Sequence, residues 1–313
     1  MSKLHLSVSP HICTPRDTRS IMLDVVISLL PATVAGCIIF GLRSLAVIAV
    51  CVIAAVLSEF LFNFCVKKKQ TVGDFSAVVT GLLIALNLSA NAPLWQGAVG
   101  SVFAIVIVKC VFGGIGCNFI NPAIAARVFM LIAFNSMSSY AAPIIGQAAT
   151  PDAVSGATPL TLLADGKSVD LLELFLGTHG GAIGETCTLA LLIGAVYLFA
   201  RRIISWHIPV VYIGATYLFS FLFGGFDPVA ALAWTLSGGL FIGAIYMATD
   251  YVTSPATPAG KVVYALVCAL LTVVIRFWGT YPEGVSFAIL LANILNPYIE
   301  KLASNRLFGG GKA

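Results

Sequence analysis

Long apolar blocks dominate this chain, and their length constrains its fold more than any other feature. Hydrophobic residues make up 59% of the 313 residues, charged residues only 10%, and the mean hydropathy is +1.00. A soluble domain carries about 25% charged residues, so this chain has too few to cover a water-facing surface. The apolar blocks are close to the ~17–25 residues that cross a bilayer as a helix. We therefore predict an all-α polytopic membrane protein.

The blocks predict about ten transmembrane segments. Their expected ranges are 21–40, 45–65, 76–90, 95–112, 121–134, 182–200, 208–224, 229–248, 262–278 and 284–302. Segments 76–90 and 121–134 are short for a full crossing. Short segments that Gly or Pro interrupts are typical of broken helices that meet inside a membrane protein.

The order of the segments predicts two related halves. Five segments precede the long polar stretch 135–181 and five follow it, and an odd number per repeat forces opposite orientations. We therefore expect two inverted five-segment repeats. The predicted division is a cytoplasmic N-terminus at 1–20, a first repeat at 21–134, an outward loop at 135–181, a second repeat at 182–303 and a cytoplasmic tail at 304–313.

The distribution of positive charge predicts the orientation. With the N-terminus in the cytoplasm, all but four of the 17 Lys and Arg residues fall on the inside. Arg43, Lys167 and Arg276 fall outside, and Arg127 falls within a segment. Because cytoplasmic loops are rich in Lys and Arg, both termini are expected in the cytoplasm and residue 158 outside.

The net charge of +4 is modest, and the absence of a basic patch argues against a nucleic-acid partner. The eight cysteines lie mostly in apolar runs, which favours packing roles over a metal site.

A tetrapeptide in the polar loop, Ser155-Gly156-Ala157-Thr158, is a candidate modification site. A threonine hydroxyl among small residues is sterically open and can be esterified. Four common residues also suit an ordinary surface turn, so the tetrapeptide alone does not decide between the two.

Several blocks together resemble one family. They are G-D-F-S-A-V-V-T-G from Gly73, G-G-I-G-C-N-F-I-N-P-A from Gly113 with Arg127 one turn on, S-G-A-T-P-L-T from Ser155, M-A-T-D from Met247 and E-G-V-S-F-A-I-L-L from Glu283. In this order they are similar to the NqrB/RnfD family, and the short N-terminal region favours its Rnf branch.

The resemblance implies a bacterial inner-membrane flavoprotein subunit of an electron-transport complex of the ferredoxin:NAD oxidoreductase type. Such a complex couples electron transfer through covalent FMN to movement of Na⁺ or H⁺. The implied partners are other Rnf-type subunits: membrane subunits, an outward-facing FMN subunit, and cytoplasmic subunits that handle ferredoxin and NADH. This chain would carry electrons rather than catalyse on its own.

The resemblance also implies specific sites. In the family, the last threonine of the tetrapeptide is joined to FMN through a phosphoester, which a flavin transferase makes from FAD. Here that residue is Thr158, with Ser155, Gly156 and Ala157 completing the motif. Some members hold a second, non-covalent flavin, riboflavin.

Other polar residues in apolar surroundings are candidate binding or ion-path residues. Asn118 and Asn121 precede a helix whose free N–H groups suit a phosphate or a flavin carbonyl, although the adjacent glycines also suit close helix packing. Arg127 is expected to contact the flavin or to pair with Asp74 or Asp250. Asp74, Asp250 and Glu59 are possible ion-path carboxylates.

A second function fits the same fold. A solute channel or secondary transporter also uses inverted halves with broken helices and polar residues near the midplane. A covalent flavin distinguishes the two functions, because a transporter has no use for a redox group.

Overall fold

The computed structural model describes residues 17–134, 140–144, 158–279 and 283–304. The regular structure in these ranges is helical, apart from an isolated β-bridge between Ala141 and Gly181. The predicted all-α class is confirmed.

Thirteen α-helical segments follow one another along the described residues. They are α1 (Thr18–Phe40), α2 (Leu42–Cys65), α3 (Ser76–Leu86), α4 (Leu94–Val102), α5 (Pro122–Ala133), α6 (Pro159–Ala164), α7 (Leu171–Leu176), α8 (Thr188–Ala200), α9 (His207–Phe223), α10 (Pro228–Leu236), α11 (Leu240–Ile242), α12 (Pro258–Trp278) and α13 (Val285–Ser304). Two of them continue with π-helical geometry: α4 over Phe103–Cys110 and α11 over Gly243–Met247.

Four helices begin at a polar residue followed by proline. Their cap residues are Asn121, Thr158, Asp227 and Thr257, and each side chain accepts a backbone N–H from the first turn. Proline suits the first helical position because its missing N–H has no partner there in any helix. The sequence therefore fixes these helix starts locally.

Each predicted segment coincides with a helix or a helix pair, but only some of these helices are long and apolar enough to cross a membrane. Three helices, α1, α2 and α12, are long and apolar enough to cross a bilayer. The pair α10 and α11, bent by 65° at its break, adds a fourth span if it is counted as one. The described residues thus contain three to four clear spans. Ten crossings and the inverted repeat stay predictions.

The surface of the protein is apolar and its interior holds charge. Leu42 is 85% exposed and Leu302 74%, whereas Glu59 and Arg127 are 1% exposed and Lys109 3%. Exposed apolar side chains of this extent suit contact with lipid rather than water. Ionisable groups in a membrane protein face its interior, which is the arrangement seen here.

Where a helix breaks, its last carbonyls accept hydrogen bonds from groups elsewhere in the chain. The carbonyls of Leu86 and Leu88, at and beyond the end of α3, accept N–H bonds from Gly184 (2.8 Å) and Ile183 (2.9 Å). A Cβ at residue 184 would collide with the Leu86 side chain. The predicted segment 182–200 is therefore too long at its start: the helix begins at Thr188 because the residues before it bind the end of α3.

At the other break, the guanidinium of Arg276 donates to the carbonyls of Trp234 and Ser237 (2.9 Å for the second). These carbonyls end α10, and both residues are buried. A backbone group left unpaired in an apolar medium costs several kcal/mol, so each break needs such a partner.

Gly194 allows three elements to meet closely. A Cβ at this position of α8 would collide with the Tyr246 hydroxyl and the Ser28 carbonyl, and Tyr246 donates to that carbonyl at 2.9 Å. We expect Gly194→Ala to destabilise the protein by about 1–3 kcal/mol, the usual cost of overpacking. Thermal unfolding in detergent micelles measures the change.

Gly214 supplies the matched control for this substitution. It lies in α9, and among the described residues no atom beyond the neighbouring residues and the backbone of its own helix comes within 4 Å of the position that a Cβ would take there. Gly214→Ala should leave stability unchanged or raise it by about 0.5–1 kcal/mol, because alanine favours a helix. Equal effects of the two substitutions would contradict the packing.

Candidate functional site

Thr158 begins α6 as its N-cap residue and is half-buried. Its Oγ1 accepts the N–H of Thr161 at 3.3 Å, and the Thr161 hydroxyl donates to the Thr158 carbonyl at 2.7 Å. Ser155, Gly156 and Ala157 lie outside the described residues. The threonine expected in an open turn therefore also has a local structural role, because an N-cap stabilises the start of a helix.

A small cavity lies beside Thr158, and we call it the Thr158 cavity. Its volume is about 10 Å³, and its polar walls come from His179, Glu185 and Glu283. Burial lowers the pKa of His179, which lies in the loop before α8. The imidazole is therefore neutral at pH 7. The cavity has room for about one water molecule.

Arg127 is connected to this cavity through Glu283. Its Nη2 donates to Glu283 Oε2 at 2.6 Å and to the Tyr140 hydroxyl at 3.0 Å. Arg127 thus pairs with an acid, one of the two alternatives expected from the sequence, but that acid is Glu283 and not Asp74 or Asp250. The Nε and Nη1 atoms of Arg127 and Oε1 of Glu283 are buried without a partner among the described residues. Buried polar atoms of this kind are costly unless a ligand or a water molecule pairs with them.

Asn118 and Asn121 line a different and larger pocket, which we call the asparagine pocket. Its volume is about 360 Å³, within the range of small-molecule sites. The start of α1, the start of α5 and residues 249–252 form its walls. The structure thus separates the two asparagines from Arg127, which lies about two turns along α5.

The asparagines hold this pocket together. Asn121 Oδ1 accepts the N–H groups of Ala123 (2.9 Å) and Ile124 (3.4 Å), and its Nδ2 donates to the Met247 carbonyl at 3.1 Å. Asn121 itself therefore uses two of the helix N–H groups that one of the two sequence-based alternatives left free for a ligand. The Asn118 amide donates to the Ile120 carbonyl at 3.0 Å and also bonds to Asp250.

Asp250 lies in the turn after Met247, on the wall of the asparagine pocket. Burial raises the pKa of its carboxyl, and the hydrogen bonds from Thr253 and Asn118 oppose that rise. Asp250 therefore combines a carboxyl in apolar surroundings with four neutral donors, two from these side chains and two from the backbone. Such a group can accept or release a proton when a nearby ligand changes charge.

A buried ionic network adjoins the same pocket. Lys109 Nζ lies 2.9 Å from Glu59 Oε1 and 2.6 Å from Ser76 Oγ, and Ser76 donates in turn to Asp74. Glu59 Oε1 also accepts the Thr71 hydroxyl at 2.6 Å. Lys109 and Ser76 line the pocket as well. The three predicted ion-path carboxylates, Glu59, Asp74 and Asp250, thus gather at one end of the molecule, and their role stays a prediction.

Sequence reasoning missed two of these contacts. Lys109 was assigned to a cytoplasmic helix end, although a lysine in an apolar run has the same significance as Arg127. Glu283 was noted as part of a motif without a role. Its pairing with a residue 156 positions away has no sequence signal.

These features define a class of protein. The chain is an all-helical, multi-pass membrane protein with broken helices, interior charge and a ligand-sized pocket. A family model described as the NQR2, RnfD, RnfE family matches residues 5–309. The chain belongs to this family, and the resemblance found in its motifs is confirmed.

Curated relatives match along nearly the whole chain. One, from Acetobacterium woodii, is named as the D-type subunit of a Na(+)-translocating ferredoxin:NAD(+) oxidoreductase complex. It is 48% identical over 316 residues, which cover 99% of this chain and 97% of the relative. Another, from Clostridium ljungdahlii, is named as the D-type subunit of a proton-translocating ferredoxin:NAD(+) oxidoreductase complex. It is 39% identical over a match that covers 97% of this chain and 96% of the relative.

The Lys109–Glu59 pair gives a double-mutant test of the network. Lys109→Met or Glu59→Gln alone removes one partner of a buried ion pair and should cost about 3–5 kcal/mol of stability. The double variant should cost less than the sum of the two, because neither charge is then left unpaired. Denaturation in mixed micelles gives the free energy of unfolding of the wild type, the two single variants and the double variant. Additive losses of this free energy would contradict the pairing.

Proposed function

We propose that this chain is the electron-carrying D-type membrane subunit of an ion-translocating ferredoxin:NAD oxidoreductase complex, with FMN joined to Thr158. The observation that carries the proposal is the 48% identity, over nearly the full length of both chains, to a relative of that name. The complex would move Na⁺ or H⁺, the ions in the names of the two relatives. Its partners would be the other Rnf-type subunits and a flavin transferase.

The proposed placement in the membrane follows the charge distribution. Both termini would lie in the cytoplasm of a bacterium and Thr158 on the outer side of the inner membrane. Helix α1 packs on α8, and α5 packs on α13. The first helix of one half thus contacts the first helix of the other half, and the last helix contacts the last. This arrangement supports the inverted repeat.

The residues around Thr158 suit a phosphoester. Forming the ester removes the proton of the Thr158 hydroxyl. The one hydrogen bond lost is the 3.3 Å bond that Thr158 Oγ1 donates to the Thr161 hydroxyl. Arg127, linked to the Thr158 cavity through Glu283, offers guanidinium donors that have no partner among the described residues. Guanidinium groups are strong partners of phosphate oxygens. The flavin would supply one- and two-electron exchange, while these residues hold its charged end.

The asparagine pocket suits the second, non-covalent flavin. It is mostly apolar and large enough for a tricyclic ring, and its wall carries polar groups, among them the Asp250 carboxyl and the Asn118 carboxamide, for the polar edge of such a ring. Lys109, which the Glu59 carboxylate holds in place, adds a positive charge at the wall. We propose that riboflavin binds here.

Thr158 is tested by a substitution that preserves the helix cap. Thr158→Asn keeps an N-cap side chain but has no hydroxyl to esterify, so the protein should fold and lack FMN. The full chain is co-expressed with a flavin transferase, denatured on a gel and examined for flavin fluorescence and intact mass. The wild type should carry one FMN and Thr158→Asn none.

The neighbouring threonine is the matched control. Thr161→Ala removes a hydroxyl one helical turn away and should leave the FMN in place. A wild-type chain of unmodified mass beside an active transferase would contradict the proposal and favour a transporter. Labelling that persists in Thr158→Asn would place the flavin on another residue.

The asparagine pocket is tested by riboflavin titration of the full chain stripped of non-covalent flavin. Asn118→Ala removes an amide from the pocket, and losing a buried hydrogen-bonding group costs about 1–3 kcal/mol. The dissociation constant should therefore rise roughly tenfold. Asn91→Ala, outside the pocket, should change nothing. Equal affinities in the two variants would exclude this pocket.

A further inference from the structure

A third cavity lies at the far end of α6 from Thr158. It has a volume of about 470 Å³, and the residues that matter for its chemistry are Lys167, Ala230, Trp234, Arg276 and Phe277. We call it the Trp234 cleft. It shares no wall residue with the Thr158 cavity or the asparagine pocket, and the proposed function has not used it.

The cleft combines aromatic rings with positive charge. The rings of Trp234 and Phe277 lie 5.0 Å apart between centroids at an angle of 32°. Arg276 is 4% exposed, and its two terminal nitrogens bond to the carbonyls of Trp234 and Ser237. Its Nε has no partner among the described residues. Lys167 adds an exposed ammonium, while the one carboxylate among the described wall residues, Asp227, accepts a backbone N–H of its own helix at 2.9 Å.

The Thr158 cavity cannot hold the ring of an FMN attached there. Its volume of about 10 Å³ accepts no more than a water molecule. The isoalloxazine must therefore lie some distance from the threonine, at the end of the ribityl chain. A linker of that length spans roughly 8–9 Å when it is extended, by bond-length arithmetic.

The Trp234 cleft lies within that reach. Helix α6 has six residues and is thus about 9 Å long. Thr158 caps its start, and Leu163 and Ala164 at its end form a wall of the cleft. A chain that starts at Thr158 and runs beside α6 therefore ends at the cleft.

We propose that the isoalloxazine ring of the FMN on Thr158 docks in the Trp234 cleft, against Trp234 and Phe277 and near the Arg276 guanidinium. This inference rests on the proposed function. Aromatic surfaces stack on flat rings, and a fixed cation stabilises the negative charge that reduction adds to the flavin. The cleft would thereby shield the ring and raise its reduction potential.

The test fills the cleft without touching the attachment site. Ala230→Leu adds bulk at the half-buried wall, and Ala200→Leu adds the same bulk at an exposed position on α8. Each full-length chain is co-expressed with a flavin transferase and purified in detergent. Three quantities are measured: covalent FMN by intact mass, iodide quenching of the native flavin fluorescence, and the reduction potential by titration of visible absorbance. Thr158→Asn supplies the background to subtract.

The proposal predicts full FMN loading in every chain that keeps Thr158. The flavin of the wild type and of Ala200→Leu should resist iodide, whereas Ala230→Leu should be quenched several-fold more strongly and have a more negative potential. Lys167→Gln, an exposed change that spares the fold, should also lower the potential.

Two results would overturn the docking site. A wild-type flavin as accessible to iodide as free FMN would show that the ring is not in the cleft, and the cleft would then be left to another occupant such as lipid. Unchanged shielding and potential in Ala230→Leu would place the ring elsewhere. Absence of FMN from every chain would instead refute the proposed function, so the two failures are distinguishable.

Discussion

The structure depends on pairing the backbone groups that its broken helices expose in apolar surroundings. The end of α3 is completed by the N–H groups of Ile183 and Gly184, and the end of α10 by the guanidinium of Arg276. Each partner comes from a distant part of the chain. Because an unpaired group there costs several kcal/mol, these contacts fix how the elements sit against one another. The breaks are also where polar groups enter the interior, so the same constraint creates the positions for binding sites.

The broken pair α10–α11 connects two of the regions that carry function in this account. The pair begins at Asp227 beside the Trp234 cleft, bends by 65°, and leads through Tyr246 to the wall of the asparagine pocket. Helix α5 likewise runs from Asn121 in that pocket to Arg127 near Thr158. Short, rigid elements with polar ends thus hold the proposed flavins at fixed separations, which electron transfer between them requires. The buried Lys109–Glu59 pair adds fixed charge beside the asparagine pocket.

Much of this could be predicted from the sequence, and the reasons for the rest are physical. Apolar block length located the membrane helices, but α6 and α7 lie in the stretch 135–181 that was expected to be a loop, and α12 begins at Pro258 rather than at 262. The start of α8 was placed too early, since only the tertiary contact with α3 shows why residues 182–187 are not helical. Arg127 was recognised as a buried charge, but its partner Glu283 could not be, because ion pairs across 156 residues carry no local pattern. The π-helical turns that carry Lys109 and Tyr246 also had no signal in composition.

The central claim is that one chain carries two flavins, one covalent at Thr158 and one held without a bond in the asparagine pocket. The most direct measurement is the flavin content of the purified protein before and after acid precipitation, with proteolysis of the precipitate and mass analysis of its peptides. The account predicts one flavin released as riboflavin and one retained as FMN on the peptide that contains Thr158. Release of all flavin, or retention on a peptide without Thr158, would contradict it.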